Sequence, residues 1–64
     1  MRPISEHPEI RVRVQIHFKD MEHGIPGNHD GIWTGEKWQF RKCYTKDEFE
    51  DIPEHLELTG WEER

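Results

Sequence analysis

A single cysteine, Cys43, stands in the 64 residues, so no disulfide can form within the chain. Small secreted domains usually depend on such bridges. Long apolar runs are missing too, since no uninterrupted stretch exceeds two residues. A secretory leader or a membrane-spanning helix needs a far longer one. These absences point to a cytoplasmic, reducing setting (that of the host cell if the gene is viral) and to no membrane partner. Length itself is scarce. A chain of this size makes one domain, residues 1–64, and such a domain buries only about 60% of the surface its unfolded chain exposes. A core of this size rarely supplies more than roughly 3–5 kcal/mol, so a partner, a metal or self-association would matter to it.

Positive charge is scarce in the last third. Residues 46–64 carry eight acids against Lys46 and Arg64, while the remainder is close to neutral, within a total of −5. An acidic balance of this kind argues against general nucleic-acid binding.

Among what is present, the segment Ile10–Phe18 is the clearest signal. Ile10, Val12, Val14, Ile16 and Phe18 alternate with Arg11, Arg13, Gln15 and His17, the period of a half-buried strand. Residues 20–31 hold three glycines and a proline with no periodicity and read as a long loop. A second strand is expected over Trp38–Tyr44, preceded by a bulge or tight turn at Thr34–Lys37. Thr45-Lys46-Asp47-Glu48 has the spacing of a capping box, and Phe49 and Ile52 follow on one helical face, so a short acidic helix is expected that ends before Pro53. Residues 54–61 read either as a second helical turn or as a short third strand with Leu56 and Leu58 on one face, the strand being slightly favoured because two strands alone make a thin sheet. The expected fold class is therefore α+β: a small antiparallel sheet of two to three strands, built on a hairpin, with one short acidic helix packed on one face. Residues 1–8 are expected to be flexible. The expected core is Ile10, Val12, Val14, Ile16, Phe18, Trp38, Phe40, Phe49, Ile52 and Leu56.

Three constellations bear on function. His17, His23 and His29, with Asp20, Glu22 and Asp30, crowd the loop and its flanks, a donor set that suits Zn²⁺. Their spacing matches neither C-x-x-C nor H-E-x-x-H, so an ordinary polar loop and no cofactor is the expectation. Cys43 with His17 as its base would be a nucleophile pair, but no activating or oxyanion group accompanies them. The third constellation is surface: Arg11, Arg13 and Arg41 on the outward strand face beside Trp33, and Glu50, Glu54 and Glu57 on the acidic segment near Trp61. Exposed Trp and Arg are enriched among binding hot spots, and charge complementarity steers encounter with a partner.

The expectation is a small, non-enzymatic protein-binding module acting through these charged and Trp-bearing surfaces, of a kind that could inhibit or modulate a larger host protein, as a phage product might. A His-loop metal-binding domain, or a nucleic-acid-binding domain using the basic sheet face, is the alternative. A homodimer through a free sheet edge is a live alternative to a hetero-complex. An enzyme ranks last, because so small a core leaves little room for a pocket of titrating groups.

Overall fold

The computed structural model describes residues 1–42 and 48–63. Within them the chain forms five strands: β1 (Val14–Asp20), β2 (Ile25–Trp33), β3 (Trp38–Arg41), β4 (Phe49–Asp51) and β5 (Leu56–Glu63). They make one antiparallel sheet in the order β4-β3-β2-β1-β5. The α+β expectation is overturned, since the described residues contain no helix. None is therefore long and apolar enough to cross a membrane.

The alternation in β1 does set its two faces, but the strand begins at Val14 and not at Ile10. Val14 lies opposite Gly31, which would place Val12 against Trp33, where β2 ends. Beyond that point no ladder partner is left. The Arg11 N–H instead donates to the Trp33 carbonyl at 2.9 Å, with Arg11 at φ 64°, so Ile10 and Val12 stay 56% and 45% exposed and outside the core.

The expected loop at 20–31 is a tight turn followed by the longest strand of the sheet. Asp20 organises the turn: its carboxylate accepts from the backbone N–H of Glu22 at 2.9 Å and of His23 at 3.3 Å, an arrangement open to short acidic side chains. Gly27 and Gly31 then lie opposite Phe18 and Val14. A Cβ at Gly27 would meet the Phe18 ring at 2.8 Å, and one at Gly31 would collide with the Ile16 side chain and the Gln39 carbonyl oxygen. Glycines that look like loop punctuation are thus the clearance for neighbouring side chains. Pro26 is tolerated because β3 pairs only with Gly31–Trp33, leaving that stretch of β2 an edge on the side away from β1.

Between β2 and β3 the alternative of bulge or turn resolves as a turn. Thr34 Oγ1 accepts from the N–H groups of Glu36 and Lys37 and donates to the Lys37 carbonyl, and Trp33 faces Trp38 across the hairpin. The expected helix is replaced by β4. The capping-box residues Thr45–Asp47, together with Cys43 and Tyr44, lie outside the described residues, but Phe49, Glu50 and Asp51 pair with Arg41, Phe40 and Gln39. A helix ended by Pro53 would have fewer than two turns, too short to hold without packing. The β3 edge offers those residues a ladder instead. The segment Leu56–Glu63 is a strand, as its alternation suggests, with a bulge opposite the His17/Phe18 step of β1.

One face of the sheet carries the core: Val14 and Ile16 from β1, Trp38 and Phe40 from β3, and Trp61 from β5, with Phe18, Trp33, Ile52, Leu56 and Leu58 packed around them. The N-terminal segment crosses this side. Trp61 Nε1–H donates to the Glu6 carbonyl at 2.6 Å, His7 stacks on Trp33 at 3.7 Å, and Arg2 exchanges two backbone hydrogen bonds with Trp61. Phe49, expected in the core, pairs with Arg41 and so lies on the opposite face, as does the fully buried Ile32 opposite Gln39.

Candidate functional site

The connection from β4 to β5 shapes the molecule. It consists of Ile52, Pro53, Glu54 and His55 only, yet it joins opposite edges of the sheet. In a flat sheet with strands ~4.8 Å apart those edges would lie about 19 Å from each other. They are also staggered. Asp51 is level with Gln39 and hence with Ile32, whereas Leu56 is level with Asp20 and hence with Ile25, a stagger of roughly 23 Å at ~3.3 Å per residue. Five peptide links reach at most about 18 Å. The sheet must therefore coil until its diagonal corners meet, which is the tilt and stagger that barrels use to close.

Closure is incomplete. Among the described residues no ladder joins β4 to β5, and the connection turns between them with the Leu56 N–H on the Pro53 carbonyl (3.2 Å) and the His55 carbonyl accepting from Met21 N–H (2.8 Å). A groove of about 460 Å³ remains at this seam. Its apolar walls are Trp33, Trp38, Ile52, Pro53, Leu56 and Leu58, and its charged neighbours are Glu36, Lys37, Asp51 and Glu54. Lys37 Nζ sits 2.8 Å from Asp51, and Gln39 Nε2 donates to the same carboxylate at 3.1 Å. These hydrogen bonds, that of Lys37 first, hold the Asp51 carboxyl below its usual range. Three acids against one lysine leave the rim negative. A second cavity of about 300 Å³, lined by residues that include Pro8, Val12, Arg13, Trp61 and Glu63, lies beside the N-terminal segment.

The residues expected to bind a partner fall in several places. Trp33 and Glu54 meet at the groove, and Glu50 and Glu57 are exposed on the strands that flank it. Trp61 is 3% exposed and belongs to the core. Arg13 lines the second cavity, and Arg11 forms the kink before β1. Arg41 lies on the face opposite Trp38 and Phe40, its side chain 10% exposed and 3.8 Å from Asp30. The expected basic sheet face is interleaved with acid: His17 Nε2 stands 3.6 Å from Glu62 and Lys19 lies opposite Glu57.

Nor do the three histidines converge. His29 shares the inner face with Ile16, whereas His17 lies opposite Asn28 on the outer face. His29 Nε2–H donates to the Arg41 carbonyl at 2.8 Å. His23 sits in the β1–β2 turn, where its Nδ1–H donates to Asp20 at 3.0 Å. Donor atoms of Asp20, Glu22 and His23 do lie within 4.8 Å of one another, but the Asp20 carboxylate already serves the turn. Hydrogen bonding by the His23 ring, joined by the N–H groups of Glu22 and His23, holds the Asp20 carboxyl below its usual range.

Sequence reasoning missed Glu36 and Asp51 at the groove; it assigned Trp38, Ile52 and Leu56 to the core, where Trp38 is buried and Ile52 and Leu56 are half-buried against it. The Leu56-x-Leu58 alternation was the only usable signal, because the seam depends on where two sheet edges end in space. Compared with protein-family models, with curated proteins and with solved structures, the chain gives no significant match to any of them.

Proposed function

We propose that this chain is a non-enzymatic binding module for another protein, and that the groove at the β4/β5 seam is its contact surface. One observation carries the reading: half-buried Trp33, Ile52, Leu56 and Leu58 are left accessible together where the coiled sheet stops short of closing. Accessible apolar area rimmed by charge is the usual composition of an interaction patch. The rim groups suit recognition over proton transfer, since Asp51 is already held by Lys37 and Gln39. Inhibition or modulation of a larger partner is the role we assign to such a module, in a cytoplasmic setting that its single thiol suits.

Site-specific photo-cross-linking in a lysate of the source cell tests this. A photoreactive residue in place of Pro53 should give a discrete adduct that the same residue at Asn28, on the opposite face, does not. Equal labelling from both positions, or none from Pro53, would remove the groove as the contact surface.

A further inference from the structure

Resting on that reading, we infer that the groove's occupant is an extended segment of the partner that adds as a strand to the outer edge of β5 and alternates apolar with basic residues. β5 is flanked by β1 on one side. On its other side, the described residues place the Arg2 bridge at Trp61 and the turn in which the Leu56 N–H donates to the Pro53 carbonyl. Between these two, the stretch Glu57–Thr59 has a strand edge facing the seam, and a strand edge is a template for backbone pairing with another chain.

The side chains along that edge specify what fits. Leu58 and Leu56 lie opposite Phe18 and Asp20, on the inner face, and line the groove with Ile52 and Trp38. Glu57 lies opposite Lys19, on the other face. Successive residues of an added strand would point alternately toward the apolar groove and toward the Glu57 side. The positions on the Glu57 side call for lysine or arginine, and Glu54 and Glu36 at the groove add to the negative field that a basic segment would meet. A second copy of β5 is the wrong occupant, because its Glu57 would add a further acid to an edge that already carries Glu57 with Glu54 and Glu36 nearby, and like charges across a strand pair are destabilising.

The test titrates the ¹⁵N-labelled full chain with a blocked hexapeptide alternating lysine and valine, following amide shifts and amide hydrogen exchange. Expected are shifts at the groove and slowed exchange within Glu57–Thr59. The same peptide N-methylated at alternate residues, which keeps its side chains and loses the backbone donors, should bind about tenfold more weakly, the equivalent of two net hydrogen bonds. An alternating glutamate-valine peptide should not bind the wild type, and should bind the E54K/E57K variant in preference to the lysine-valine one. Equal binding of the N-methylated peptide would overturn strand addition while leaving the groove as a contact surface. Equal shifts from hexalysine, or no response to any peptide, would overturn the inference; the cross-linking experiment then judges the groove by itself.

Discussion

Gly31→Ala isolates the packing that makes β2 a strand. The new methyl group would meet the Ile16 side chain, with Cγ1 at 3.2 Å, and the Gln39 carbonyl oxygen, which belongs to the β3 backbone. Ile16 is fully buried, so close-packed neighbours restrict how far it can give way, and the carbonyl can yield only if β3 moves. Overpacking of this kind costs about 1–3 kcal/mol, and contact with backbone favours the upper part of that range. Alanine recovers roughly 0.5–1 kcal/mol through its smaller entropy loss in a strand. A net loss of about 2 kcal/mol remains, which in a domain of this size lowers Tm by roughly 8–16 °C. Gly27→Ala is the internal control. It meets only the rim of the Phe18 ring, at 2.8 Å, and Phe18 is half-buried and able to turn aside, so its loss should stay under about 1.5 kcal/mol. Thermal and urea unfolding followed by circular dichroism measure both. A Gly31→Ala protein as stable as wild type, or a larger loss in Gly27→Ala, would refute the argument that Gly31 is glycine because of β3.

Stability should respond to acid through the β1–β2 turn. The Asp20 carboxyl is held below its unfolded value, so its contribution is complete above the unfolded pKa of about 3.9 and is lost as pH falls from there through the lower folded value; the Tm gap between wild type and Asp20→Asn should close over that window, and a gap constant from pH 7 to pH 2 would contradict it. Trp61→Phe keeps a ring in the core but deletes the donor to the Glu6 carbonyl, and should cost about 1–3 kcal/mol and speed hydrogen exchange at Arg2, whose amide pairs with Trp61; unchanged exchange would show the N-terminal segment to be held otherwise. Thr34→Val removes the hydroxyl that serves Glu36, Lys37 and the Lys37 carbonyl and should cost about 1 kcal/mol in urea unfolding, whereas Thr34→Ser should cost less than half of that.

By itself the sequence determined the elements whose alternation matches their burial. β1 and β5 are legible because Val14, Ile16 and Phe18, and then Leu56 and Leu58, fall on one parity, and that parity survives whatever the strands pair with. Charge was equally legible, since Glu54 and Glu57 are acidic wherever the chain carries them. Only the tertiary structure decided β2 and β4. Gly27, Gly31 and Pro26 are unfavourable in an isolated strand and become suitable once Phe18, Ile16 and a short β3 surround them, while the residues after a capping box prefer a ladder when Gln39 and Arg41 present an edge. The groove belongs wholly to this second class. Trp33, Trp38, Ile52 and Leu58 are distant in sequence and meet because a four-residue connection forces a staggered sheet to coil, and no local pattern encodes the distance between two sheet edges.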